Sequence, residues 1–150
     1  MAGYSGTPLP QKLGIKRDSK VLAVSAPRGF LSLVAPARPA RSGRGPFDVI
    51  VLFTRTGVDL HAGLATQIRK LQVDGGLWVA WPKKTSGVAT DLAEGVVREA
   101  GLAAGLVDNK VCAIDETWSG LRFVYRLRDR AGVASAERRT QPARSTRRRP

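Results

Sequence analysis

The chain of 150 residues carries 25 Lys and Arg against 12 Asp and Glu, a formal net charge of +13 and a pI near 11.2. Hydrophobic residues make up 43%, enough for one domain with a real core. One cysteine, Cys112, and one histidine, His61, exclude an intramolecular disulfide framework and a Cys/His zinc cluster, and no metal site is expected.

The N-terminal stretch MAGYSGTPLPQKLG has no apolar core of signal-peptide length, and no segment approaches the roughly 20 apolar residues of a membrane span. The expectation is a soluble cytoplasmic protein with no membrane partner. Residues 1–19 are polar, punctuated by Gly and Pro, and read as an N-terminal extension. The run SKVLAVSAP predicts a strand over residues 20–25, and RGFLSLVA a short helix after it. PARPARSGRGP, residues 36–46, is a loop by composition, and its three arginines make it a basic segment.

FDVIVLF, residues 47–53, is a continuous apolar run of strand length, the mark of a strand covered on both faces. Asp59 is positioned to cap the next helix, on which Leu60, Leu64, Ile68 and Leu71 share a face. Asp74, Gly75 and Gly76 then end that helix, and LWVAW predicts a third strand over residues 77–81. Asp91 with Glu94 three residues on has capping-box spacing. In that second helix Leu92, Val96, Val97 and Ala100 point inward, and Gly101 marks the end. Residues 110–115 and 121–127 predict two strands joined by a turn. In the second, Leu121, Phe123, Tyr125 and Leu127 alternate with Arg122, Val124 and Arg126.

This order predicts one three-layer α/β domain over residues 20–127, with Val51, Leu64, Ile68, Val79, Val96 and Phe123 in its core. The last strand is expected to run antiparallel to the others, inserted between the third and fourth. Residues 128–150 hold eight Arg against one Asp and one Glu and almost no large apolar side chain. They read as a disordered basic tail with too little apolar surface to fold. Such a tail is also suited to contact nucleic acid without sequence preference, since no aromatic residue interleaves with the arginines.

The blocks LPQKLGIKRDSKV, FDVIVLF, GGLWVAWPKKTSGVATDL and GLVDNKVCAIDETWSGLRFVYRLRDR resemble those of a family of short bacterial proteins, chiefly actinobacterial, known only as a domain of unknown function. The resemblance spans about residues 7–130 and brings no activity or catalytic residue with it. The layout also resembles, more distantly, the second half of a class I methyltransferase, which implies a Rossmann-like sheet whose last strand inserts antiparallel. Methyltransferases of that class carry a glycine-rich turn after the first strand. Here that strand ends VSAPRGF, with one glycine and a proline, and no cofactor is expected.

In open α/β sheets ligands bind beyond the carboxyl ends of the parallel strands. That rule gathers residues 25–29, 54–55, 83–87 and 115–118 at one edge. Lys83 and Lys84 are candidates to hold an anion there, with hydroxyls from Thr85 and Ser86 and with Asp115, Glu116 and Trp118 across the edge. The competing structural reading pairs the two lysines with Asp115 and Glu116, and packs Trp118 in the core. Cys112, inside a strand, reads as a small buried hydrophobe rather than a nucleophile. No His-centred triad is available to Ser25 or Ser86. The functional expectation is a binding module for a small anionic or nucleotide-like ligand. The alternatives are a nucleic-acid-associated protein and a transferase with an unrecognised cofactor mode.

Overall fold

The computed structural model describes residues 6–134. A five-stranded sheet is built from β1 (Val21–Val24), β2 (Phe47–Phe53), β3 (Leu71–Pro82), β4 (Leu106–Ala113) and β5 (Trp118–Tyr125). Its order is β1-β2-β3-β5-β4. β1 and β2, and β2 and β3, pair in parallel, while β5 is antiparallel to both β3 and β4. The final strand therefore sits inside the sheet, antiparallel, as the sequence predicts, and β4 points the same way as β3. Helices α1 (Leu9–Leu13), α2 (Phe30–Val34), α3 (Gly57–Ile68) and α4 (Glu94–Ala103) complete the named elements that frame it.

The alternation of β2 and β3 explains their unbroken apolar runs. Val49, Val51, Phe53, Trp78 and Ala80 face a core shared with Leu9 and Leu13 of α1 and Phe30 and Val34 of α2. Ile50, Leu77, Val79 and Trp81 face the opposite core, with Leu60 and Leu64 of α3 and Val97 and Ala100 of α4. A strand with one wet face would show polar residues at every second position; residues 49–53 and 77–81 have none. Within the segment set apart as polar, α1 packs tightly, and the Trp78 indole Nε1 donates to the Leu13 carbonyl at 3.0 Å. The bond satisfies an indole N–H that is otherwise fully buried.

Several details depart from the sequence expectations. β3 begins at Leu71, so Leu71 is a strand residue and Asp74, Gly75 and Gly76 lie within the strand. A side chain on Gly75 would meet the Asp48 carbonyl at 2.7 Å, and one on Gly76 would collide with the Arg122 guanidinium. These glycines mark close approach rather than a turn. Of the residues expected to point inward around α4, Leu92, Val97 and Ala100 are buried, but Val96 is 46% exposed. Ile68 is only partly buried, at the last position of α3. Leu127, expected inward, lies beyond β5 and is 79% exposed. Gly101 does not end α4, because the Phe123 ring packs onto its bare Cα; Gly105, at φ 97°, takes the left-handed position after the helix.

Truncating Leu64 to Ala is expected to cost about 2–5 kcal/mol, because the side chain is 2% exposed in the α3 core. Val96→Ala is expected to stay within about 0.5 kcal/mol, the surface range. Urea denaturation midpoints check both; equal losses would show that the face of α4 is misassigned.

Candidate functional site

The carboxyl ends of β1, β2, β3 and β4 converge on one edge, and four loops leave it. The β3 loop begins at Lys83, whose amide donates to the Thr117 carbonyl at 2.8 Å. This bond ties the loop to the β4–β5 turn. A 3-10 turn follows over Lys84–Ser86, and Gly87 closes it at φ 79°. The Ser86 hydroxyl donates to the Lys83 carbonyl at 2.7 Å and accepts from the Val88 amide at 3.1 Å. Ser86 thus shapes the loop with its own hydroxyl, while Lys84 and Thr85 remain exposed.

Across the edge, Asp115 Oδ1 accepts from the amides of Thr117 and Trp118, both at 2.8 Å. Its carboxylate is committed to folding the turn. Glu116 is exposed. Among the described residues no ion pair joins Lys83 or Lys84 to Asp115 or Glu116. The Trp118 ring is 5% exposed and stands edge-on to Phe53 at 5.1 Å, which in turn meets Phe30 at 4.9 Å. These three rings form an apolar floor beneath the edge, from the β1 side to the β4–β5 turn.

The middle of the edge is pinned by the segment before α4. Thr56 caps α3, accepting from the Asp59 amide at 3.1 Å, so the cap lies three residues earlier than expected. Asp91 does not cap α4, whose N-cap is Ala93. Its Oδ1 instead accepts from the Gly57 amide at 2.9 Å, placing a carboxylate at the α3 N-terminus. The neighbouring Thr90 hydroxyl donates to the Arg55 carbonyl at 2.6 Å.

The β1 end of the edge holds a feature that no periodicity announced. Ala40 forms a parallel bridge to Leu22 on the outer side of β1. The Ala23 amide donates to the Ala40 carbonyl at 2.9 Å, and the Ala40 amide to the Val21 carbonyl at 2.8 Å. The chain therefore leaves β1 through α2, touches down on its outer side, and crosses back to form β2 on the inner side. Between the two branches opens a cleft of about 450 Å³, lined among others by Ser25, Arg28, Gly29, Ser32, Ala40 and Arg41. Ser25 holds φ 59°, a left-handed conformation uncommon for a residue with a side chain, and Gly29 holds φ 93°. None of the residues lining the cleft is acidic. Sequence reasoning placed residues 25–29 at this edge but missed the Ala40 touchdown and the cleft beside it.

Cys112 is half-buried, and burial pushes its thiol above the ordinary range despite Lys12 and Lys110 nearby. A raised thiol pKa keeps the nucleophilic thiolate scarce at neutral pH. His61 is exposed on α3, at the start of its second turn. The basic tail falls outside the described residues from residue 135 onward.

A mostly parallel sheet with a crossing point at β1 and helices on both faces defines a Rossmann-like α/β protein. The chain belongs to the family described as "Protein of unknown function (DUF3052)", whose model matches residues 42–127. A solved protein of the NADB-Rossmann superfamily from Streptococcus agalactiae is similar in fold. It is 11% identical, with a TM-score of 0.50 over 81% of this chain and 69% of that chain. The B. subtilis M1A22 tRNA methyltransferase TrmK gives 13% identity and a TM-score of 0.46, over 83% of this chain and 68% of that chain. The fibrillarin pre-rRNA processing protein of Methanococcus jannaschii gives 16% and 0.42, over 79% and 69%. No curated protein matches the sequence.

Asp91→Ala is expected to cost about 0.5–2 kcal/mol, the range for loss of a helix cap, although Asp91 is exposed. Urea denaturation measures it; a loss near zero would mean that solvent replaces the carboxylate at Gly57 without cost.

Proposed function

We propose that the protein is a binding module for a small anionic, nucleotide-like ligand held along the carboxyl edge of its sheet. The observation that carries this reading is the cleft at the β1 crossing point, with Arg28 and Arg41 both in its lining. Open α/β sheets bind ligands where the chain departs to opposite sides of one strand, since the diverging loops leave a crevice there. A guanidinium presents paired N–H donors that match phosphate or carboxylate geometry. Adjacent strands lie about 4.8 Å apart, so the β3 loop is roughly 10 Å along the edge from β1. A nucleotide anchored in the cleft can extend that far, over Thr54 and Arg55, towards Lys83 and Lys84. In this reading the lysines supply a second electrostatic contact, with Thr85 beside them. Ser86 and Asp115 hold the loops in shape, and Trp118 belongs to the floor. Glu116 limits how much negative charge the far end tolerates.

A ligand present at about 100 times its dissociation constant stabilises the folded state by about 2.7 kcal/mol. For a chain of this size that is a rise in Tm of several degrees. The full chain is expected to show such a rise with nucleotides or inorganic phosphate. Arg28→Ala should abolish it, and the Lys83→Ala/Lys84→Ala pair should reduce it. No shift with any nucleotide or with phosphate would overturn the proposal.

A second reading rests on charge: residues 128–150 hold eight of the chain's arginines, against two acids. It assigns them to non-specific contact with nucleic acid. If roughly four arginines engage duplex phosphates, log affinity falls with log salt at a slope near −3.6. Removing residues 135–150 is expected to abolish most of this binding and leave the domain folded. Equal binding with and without them would move the contact to the domain surface.

A further inference from the structure

Resting on the nucleotide-binding reading above, we infer that the cleft selects a sugar bearing a phosphate monoester, and that Arg41 is the residue that reads it. The Ala40 bridge makes residue 41 the first position beyond the carboxyl end of a one-residue outer strand paired with β1. In dinucleotide-binding sheets an acid near that place accepts hydrogen bonds from the ribose hydroxyls, whereas an arginine accommodates a phosphate on the same sugar. The chemistry follows from the groups. A carboxylate accepts from hydroxyls and repels a phosphate; a guanidinium only donates, and attracts it. Here Arg41 holds the place, Arg28 lines the same cleft, and no acidic side chain is among the residues that line it. A free diol is left without a charged acceptor, and a phosphate finds two guanidinium groups.

The β1 loop argues the same way. Glycine-rich turns hold phosphate with successive backbone amides, and the loop 25–29 cannot. Pro27 has no N–H to offer and interrupts the series. Anion recognition therefore passes to side chains, to Arg28 and Arg41 with the hydroxyls of Ser25 and Ser32 in the same lining. The left-handed φ of 59° at Ser25 is a conformation that tends to be retained where a site needs it.

The test compares AMP with adenosine 2′,5′-bisphosphate and adenosine 3′,5′-bisphosphate, binding to the full chain by calorimetry at constant ionic strength. At least one bisphosphate is expected to bind about tenfold or more tighter than AMP, the scale of one charge-assisted hydrogen-bond pair. Arg41→Ala and Arg41→Glu should collapse that ratio towards one, whatever they cost in affinity for AMP itself, because the ratio reads the second phosphate alone. Arg41→Lys, which keeps the charge but loses the fork, should retain part of it. Arg41 is exposed, so the variants are expected to fold, and their circular dichroism and Tm verify this. The tail is present in every variant, so its non-specific attraction, larger for the bisphosphates, cancels when the ratio of one variant is compared with that of another. Equal affinity for all three nucleotides, or a preference that survives Arg41→Glu, overturns the inference and leaves the nucleotide reading standing. Failure of all three, together with inorganic phosphate, to bind removes the reading itself and the inference with it.

Discussion

β3 is hydrogen-bonded along both edges and covered on both faces, and it joins the parallel half of the sheet to the antiparallel half. Its parallel neighbour β2 fixes the direction of the carboxyl edge, and its antiparallel neighbour β5 brings the chain back through the sheet interior. Trp78 lies at the middle of this strand, fully buried, with its indole N–H tied to the end of α1. An unsatisfied buried indole would carry a substantial desolvation penalty, so the short N-terminal helix is held by a specific polar bond as well as by Leu9 and Leu13. On the opposite face Phe123 of β5 lies against the bare backbone of Gly101, which sets how closely α4 approaches. A methyl group there would gain helix propensity of about 1 kcal/mol and lose more to overpacking.

The same sheet separates two edges of different chemical character. At the amino edge, Arg122 lies across Gly76 and donates to Asn109 at 3.3 Å, while Asp18, Asp48 and Asp74 line a cleft with it. Burial, reinforced by repulsion from Arg130, holds the Arg122 guanidinium below its ordinary range. Asp48 also accepts from the Lys20 amide at 2.8 Å, which fastens the entry of β1 to β2. At the carboxyl edge the loops contribute Arg28, Arg41, Lys83 and Lys84. The folding of that edge uses Asp91 and Asp115 as backbone acceptors, and both carboxylates are spent on amides.

The core of the sheet was legible because it obeys periodicity. The run FDVIVLF has the length and composition of a strand covered twice, and the spacing of Leu60 and Leu64 fixes the α3 face. The insertion of β5 followed from its apolar alternation, since an edge strand would tolerate more charge. Other features obey local geometry that leaves no pattern. Asp74, Gly75 and Gly76 have turn composition, yet Gly75 and Gly76 are demanded inside a strand by the Asp48 carbonyl and the Arg122 side chain. Val96 and Val97 are adjacent and equally apolar, so composition alone could not choose between them. Asp91 has the spacing of a cap for α4 but serves α3, 34 residues back in the chain. The Ala40 bridge is one residue long inside a proline-rich loop, and a single residue has no period.

That last omission bears on the proposed site, because the bridge converts a sheet winding in one direction into one with a crossing point. Without it, β1 would be a plain edge strand and residues 36–46 a solvated basic loop. With it, two arginines 13 positions apart in sequence line one cleft. Net charge cannot supply that selectivity. A chain at +13 attracts anions of every kind, and at physiological salt the attraction decays over about 8 Å. Lys83 and Lys84, roughly 10 Å along the edge, would act on the proposed ligand only through partial screening. Arg28 and Arg41 line the cleft itself, so in the proposed binding mode they would meet the ligand with directional donors. The general basicity of the protein therefore raises encounter with any polyanion. If the proposed ligand binds, discrimination between one small anion and another falls to the guanidinium groups at the β1 crossing.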